Sequence, residues 1–319
     1  MGHRLLPRAP ALYHGRKSSR PYFEGWFFKH SSKAGSLAVI PGVFRGVSGK
    51  DDTAFIQVLL SNPVQSFFVR YPFRSFHSDK KRFDIQIGES SFSLEGAAVC
   101  INEIELEARL AYSKIVTLET SVLSPSIMGP FSYLPGMQCN HGVLSLRHEV
   151  NGYACCGDRR MDFDNADGYI EKDWGEAFPE SWVWMQCADK ESAFMCSIAR
   201  IPLGIFSFTG LICVLLADGK QYRFATYNGG KLERLEMKKG SVTAEITKKN
   251  LRLAVNACNE SFGSLKAPTK TGMDRVIAES IGAKYRISLF DNGNEIFLGS
   301  FDGGGLEANG ARHLIIKRK

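Results

Sequence analysis

The sequence predicts an all-β protein, two tandem antiparallel β barrels or sandwiches related by internal duplication. Three observations predict it. A shift of 156 residues lays the chain on itself, placing Tyr22, Glu24, Trp26 and Phe28 on Phe178, Glu180, Trp182 and Trp184, and Ile56, Val58, Leu59 and Leu60 on Ile212, Val214, Leu215 and Leu216. The same offset carries Gln65, Phe68 and Tyr71 onto Gln221, Phe224 and Tyr227. A single long period marks a pair of domains rather than a solenoid. Short apolar or alternating runs also follow one another with hairpin punctuation between them, and helical periodicity is almost absent.

In the first copy, strand patterns occupy 36–44, 54–60, 66–71, 83–87, 103–112 and 142–150. In the second they occupy 181–188, 194–201, 211–216, 221–226, 241–246, 250–255, 285–290 and 295–301. Asn151-Gly152, Asp218-Gly219, Asn228-Gly229-Gly230 and Asp291-Asn292-Gly293 supply the positive φ that tight hairpins demand. Only 273–281 offers a modest helical candidate. The repeat continues toward each domain's end: Gly168 with Glu171 resembles Gly304 with Glu307, and Leu144-Ser145-Leu146 resembles Ile287-Ser288-Leu289. Closing each sheet hides its edges. The boundary is placed at 165, giving domains 1–165 and 166–319, with Trp26 and Trp182 expected at equivalent positions.

Composition narrows the class. The 319 residues suit two domains, and a hydrophobic fraction of 44% suits a water-soluble core. The longest apolar stretch, 206–217, is interrupted and short of the ~20 residues of a helical membrane span. Residues 1–20 carry Arg4, Arg8, Arg16, Lys17 and Arg20 without an acid or a signal-like apolar block, and Leu6 stands where a myristoylation motif needs Ser or Thr. The segment reads as a basic lead-in. Eight cysteines without an export signal predict free thiols and a cytoplasmic protein, at most peripheral to a membrane. The net charge of +7 is spread too evenly to indicate a nucleic acid partner.

Familiar sites are absent or incomplete. No C-x-x-C occurs, Cys139 with His141 falls short of a zinc set, and Asp162, Asp164, Asp167 and Gly168 depart from a calcium loop, so no metal is expected. Gly303-Gly304-Gly305 reads as a tight turn, because too little chain follows for a dinucleotide crossover. No phosphate loop and no serine elbow is present.

Two clusters rich in aromatic and acidic residues remain, Tyr22 to Lys29 and Asp173 to Cys187, and they hold all four tryptophans. Duplicated cores would explain the tryptophans. A large apolar pocket edged by a few carboxylates explains both residue types, and suits a greasy substrate with one polar end.

The first cluster, the run Pro135-Gly136-Met137-Gln138-Cys139-Asn140-His141-Gly142-Val143-Leu144-Ser145, and the run Gly168-Tyr169-Ile170-Glu171-Lys172-Asp173-Trp174-Gly175 through Gln186-Cys187 together resemble the tocopherol cyclase family, bacterial members included. The resemblance implies two lipocalin-like β domains with a cleft between or within them. It also implies an isomerase that needs no cofactor, closing a prenylated quinol to a chromanol. A carrier of a prenyl lipid, or another terpenoid enzyme such as a hydratase or pericyclase, would use the same aromatic wall. The oligomeric state is not written in the sequence.

Ring closure needs a proton on the prenyl double bond, a developing tertiary cation, and a phenolic oxygen beside it. A carboxyl buried among apolar groups has its pKa raised in the direction an acid requires. Candidates are Asp173, ranked first because the first domain's motif has no counterpart, and Glu24, Glu171 and Glu180; His141 is a candidate to position the phenol or relay a proton. Lys29 and Lys172 offer the alternative of plain ion pairs. Alternation along a strand would set Glu24 beside Trp26, and Glu180 beside Trp182 and Trp184. The substrate wall would comprise Tyr22, Trp26, Phe28 and Trp174 together with Phe178, Trp182, Trp184 and Gln186.

Overall fold

The computed structural model describes residues 10–15, 20–203, 206–310 and 314. Arg4, Arg8, Arg16 and Lys17 of the basic lead-in lie outside the described residues, whereas 10–15 packs across the first barrel. There Trp26 Nε1 donates to the Ala11 carbonyl at 3.2 Å and Lys172 Nζ to that of Leu12 at 2.5 Å.

Two antiparallel sheets account for the architecture, and no α-helix occurs among the described residues. The first contains β1 (Tyr22–Ser32), β2 (Gly35–Arg45), β3 (Thr53–Leu60), β4 (Gln65–Pro72), β5 (Phe76–Ser78), β6 (Asp84–Ile87), β7 (Ser90–Ser93), β8 (Gly96–Ile101), β9 (Leu106–Val116), β10 (Cys139–Cys156), β11 (Arg159–Asp162) and β12 (Ala166–Gly175). The second contains β13 (Trp182–Ala188), β14 (Ala193–Leu203), β15 (Phe206–Ala217), β16 (Lys220–Ala225), β17 (Lys231–Lys238), β18 (Ser241–Lys248), β19 (Leu251–Cys258), β20 (Gly263–Ala267), β21 (Arg275–Asp291) and β22 (Asn294–Asn309). The spatial orders are β4-β3-β2-β1-β12-β10-β9-β8-β7-β6-β5 and β16-β15-β14-β13-β22-β21-β19-β18-β17. In both, the strand that opens the unit lies between the second strand and the last. Each sheet curls around its own apolar core, as the all-β duplicated fold requires. All eight cysteines are free.

The passage between sheets falls at 176–181, since β12 pairs with β1 and β10 of the first sheet. A boundary at 165 separates β11 from β12 instead. Residues 273–281, the helical candidate, belong largely to β21, where Val276 is 61% exposed and Ile277 5%. That alternation has the strand's period of two. Gly303, Gly304 and Gly305 are not a turn but part of β22, where a side chain on Gly305 would collide with the indole of Trp184.

Trp26 and Trp182 occupy matching strands, β1 and β13, but not matching positions. Trp26 points into the first barrel beside Phe28, Val39 and Val58, whereas Trp182 points out of the second barrel beside Trp184, Met195 and Val214. Register supplies the reason. Phe27 stands opposite Glu171 as Trp184 stands opposite Glu307, so Trp26 corresponds to Val183 and the copies superpose one residue away from the sequence offset. A slip of one residue exchanges the faces of a strand.

The same exchange describes how the barrels meet. Phe27, Leu59 and Tyr169, on the outer face of the first sheet, form one apolar cluster with Trp182, Trp184 and Met195 of the second. Phe27 and Trp184 contact edge to face at 5.3 Å. Among the described residues no helix is long and apolar enough to cross a membrane.

Candidate functional site

A cavity of about 190 Å³ opens between these outer faces. Its walls come from β1, β2, β3, β10 and β12 of the first sheet, β13, β14, β15, β20, β21 and β22 of the second, and the long connection between β9 and β10, which contributes Met128, Phe131 and Met137. That connection is anchored across the interface, where the Tyr227 hydroxyl donates to the Ile127 carbonyl at 2.9 Å.

β12 places the charged groups. Alternation sends Ile170 and Lys172 into the first barrel and Tyr169, Glu171 and Asp173 outward toward the cavity. Asp173 lies opposite His141 of β10. His141 Nδ1 is 2.9 Å from Asp173 Oδ1, and its Nε2 is 3.3 Å from Glu171 Oε2. The imidazole is thus held between two carboxylates. Glu171 Oε2 also accepts hydrogen bonds from the Tyr169 hydroxyl and, at 3.0 Å, from Trp184 Nε1. Burial works against a charge on His141, but Asp173 and Glu171 outweigh it and hold its pKa well above 6.5. His141, Glu171 and Asp173 each offer a metal-ligand atom, all within 4.8 Å of one another. Because both ring nitrogens are turned to carboxylates, the cation this arrangement suits best is the imidazolium itself.

On the opposite wall, Glu279 of β21 and Glu307 of β22 stand directly across from each other, and both line the cavity. Trp182 Nε1 donates to Glu307 Oε2 at 2.5 Å. Burial raises Glu307 to about 7, against the opposing hydrogen bonds from Glu279 and Trp182, and the charges of Glu171 and Asp173 push the same way as burial. Burial and the neighbouring Glu307 raise Glu279 well above 4.5.

The two walls are unequal copies. Register sets Glu171 against Glu307, Phe27 against Trp184 and Gly25 against Trp182. A Cβ built on Gly25 would find its nearest neighbours 3.9 and 4.0 Å away, in ordinary contact. The cavity therefore extends over Gly25, where the second copy places an indole.

Of the residues singled out from sequence, Asp173, Glu171, His141, Phe178, Trp182 and Trp184 line this cavity. The others do not. Trp26 and Phe28 lie inside the first barrel, Trp26 stacked against Phe76 at 6.2 Å. Tyr22 is buried and donates its hydroxyl to Glu24. Glu24 is paired with Lys172 at 2.5 Å and accepts backbone N–H groups of His14 and Gly15, so the ion-pair reading describes it. Burial lowers Lys172 to about 8, although Glu24 supports its charge. Trp174 faces the barrel side, with Lys172 Nζ 4.9 Å from its ring, and borders a second cavity beside His14 and Ser126. Glu180 is exposed, and Gln186 is buried outside the cavity lining.

Sequence reasoning passed over Glu279, Gly25 and Met128. The signal for Glu279 lay in the Ile277–Glu279 alternation that a helical reading of 273–281 obscures. Glu307 was visible as the partner of Glu171 in the repeat.

The profile of the tocopherol cyclase-like family matches residues 112–310, more than half of the chain. Over 98 residues the chain is 34% identical to the chloroplastic "Probable tocopherol cyclase" of Oryza sativa subsp. japonica, covering 28% of this chain and 20% of that protein. Over 28 residues it is 54% identical to the chloroplastic tocopherol cyclase of Zea mays, covering 9% and 6%. The matched stretch thus spans a fifth or less of these curated relatives. Among solved structures, CghA superposes with a TM-score of 0.64 at 13% identity, covering 97% of this chain and 93% of that one. CghA with Sch210972 gives 0.62 at 12% over 90% and 88%. Kievitone hydratase from Nectria haematococca gives 0.55 at 9% over 97% and 95%. At such identities the likeness is one of fold.

Proposed function

This chain belongs to the tocopherol cyclase-like family, and on that premise we propose that it is a cyclase closing a prenylated quinol to a chromanol without a cofactor. The observation that carries the reading is the imidazole of His141 held between Asp173 and Glu171 at one wall of an otherwise largely apolar cavity. An apolar chain fills the aromatic and aliphatic part of such a space, and a single polar end belongs at the charged cluster.

A phenolic hydroxyl placed there meets carboxylate oxygens that accept its hydrogen, and the imidazolium lowers the cost of negative charge growing on the phenol oxygen. Protonation of the prenyl double bond creates a tertiary cation. The phenol oxygen attacks it, the C–O bond closes, and the phenol proton passes to Asp173 or Glu171, so no atom is gained or lost. The faces of Phe178, Trp182 and Trp184 support the cation, at about 0.5–2 kcal/mol each. A millionfold acceleration asks for about 8 kcal/mol, so proton transfer and orientation must supply much of it.

The test is incubation of the purified protein with prenylated quinols of varied chain length, followed by mass spectrometry. A product of unchanged mass that has lost one phenolic hydroxyl and one double bond supports cyclisation. Gain of one water would replace it with hydration, and tight binding with no conversion across the panel would leave a carrier.

A further inference from the structure

The cyclisation needs a donor for the double bond, and Asp173 is committed elsewhere, its Oδ1 lying 2.9 Å from His141 Nδ1. Building on the cyclase reading, we infer that the Glu279–Glu307 carboxyl pair, facing the same cavity from the second barrel, is the proton donor to the substrate's double bond.

Geometry carries this assignment. The two residues are cross-strand partners on β21 and β22, with exposures of 2% and 9%, and both border the cavity. As direct cross-strand neighbours the two carboxyls act on each other, and Glu307 favours a proton on Glu279. Trp182 Nε1 occupies Glu307 Oε2, while Glu279 Oε1 is buried without a hydrogen-bond partner. An unpartnered carboxyl oxygen on an apolar cavity wall is costly unless a ligand or a proton completes it. Two adjacent carboxyls out of water cannot both ionise, so the pair keeps one proton where an isolated surface glutamate would lose it. The groups that act on the pair are Trp182 on β13, Glu171 and Asp173 on β12, and Lys29 on β1. The two carboxylates of β12 favour retention of the proton and Lys29 opposes it.

In the step itself, an O–H bond of the pair breaks and the π electrons of the double bond take that proton, forming a C–H bond at the less substituted carbon. The remaining tertiary cation is captured by the phenol oxygen, whose proton goes to the carboxylates beside His141. Donor and acceptor then stand on opposite walls. Proton exchange with solvent restores both.

Glu279→Gln and Glu307→Gln keep the side-chain shape and remove the acid. If the wild type cyclises a prenylated quinol, each variant is expected to lose about 10²–10⁴-fold in turnover, with KM changed little. Circular dichroism checks the fold. Rates within about threefold of wild type in both folded variants would overturn the assignment and leave the cyclase reading intact. Absence of conversion by the wild type would reject the cyclase reading instead. An infrared measurement then decides the donor separately. A protonated-carboxyl C=O stretch at neutral pH that vanishes in the double variant supports the pair as the cavity's proton store, and no such band in the wild type overturns it.

Discussion

Asp173→Asn tests the charged cluster without needing a substrate. In the folded protein His141 lies 2.9 Å from one carboxylate oxygen and 3.3 Å from another. Coulomb energy falls as the inverse of distance, so the two partners, about a tenth apart in separation, contribute comparably to holding the ring charged. Removing the charge of Asp173 therefore takes away about half of that support, while the burial that opposes the cation stays in full. An opposite charge at such range moves a pKa by about 1–3 pH units, and a loss of that size is expected for His141. Asparagine still offers an oxygen to Nδ1, so ring position should survive. Long-range ¹H–¹⁵N correlation spectra of imidazole-labelled protein, recorded across pH, would follow His141 directly. An Asp173→Asn protein in which His141 titrates where it does in the wild type would refute the electrostatic account of the cluster. If the ring is the phenol's positioning group, turnover should also fall most steeply at high pH, where the variant's imidazole is neutral.

Gly25→Trp places an indole where the second copy already has one, and should lower the affinity for an apolar fluorescent probe by at least about tenfold, roughly 1.4 kcal/mol. Unchanged affinity in a titration would show that the ligand space does not cross Gly25. Trp26→Ala should cost about 3–5 kcal/mol in urea unfolding, because the ring is fully buried in the first barrel, while leaving probe binding nearly intact. Trp182→Ala should instead weaken binding, because it opens the cavity wall. The reverse outcome would mean that the two faces have been assigned the wrong way round. For pH dependence, Glu307 titrates at about 7 in the folded protein against a usual 4.5. A raised carboxyl contributes stability that is fully present below pH 4.5 and is lost as pH rises through about 7. Since Asp167, His30 and His148 also have shifted pKa values, the comparison is wild type against Glu279→Gln/Glu307→Gln, whose stability difference should vary across that window. A constant difference would contradict protonation of the pair.

Much of the fold was legible because it is written in local periodicities. The β character, the hairpin signals such as Asp218-Gly219, and the duplication follow from composition, alternation and a constant offset, which need no knowledge of distant contacts. Of the site, Asp173, Glu171, His141, Trp182 and Trp184 stood out because acids interleaved with aromatics are unusual on a solvent face. Their neighbours Glu24, Trp26 and Phe28 looked equally suitable, and in sequence they are. What separated them was register. Trp26 against Lys172 and Phe27 against Glu171 are adjacent rungs of the same ladder, one turned into the barrel and the other into the cavity. A pattern of period two names two faces but not which of them a second sheet will cover, and that choice belongs to contacts between residues more than a hundred positions apart. Sequence by itself determined the strands, the two copies and the chemical types able to act. Only the tertiary structure decided which carboxyls share the cavity, because the β21–β22 register sets Glu279 beside Glu307 and the packing of one barrel's outer face on the other's buries them there, and neither burial nor that neighbour exists before the sheets close.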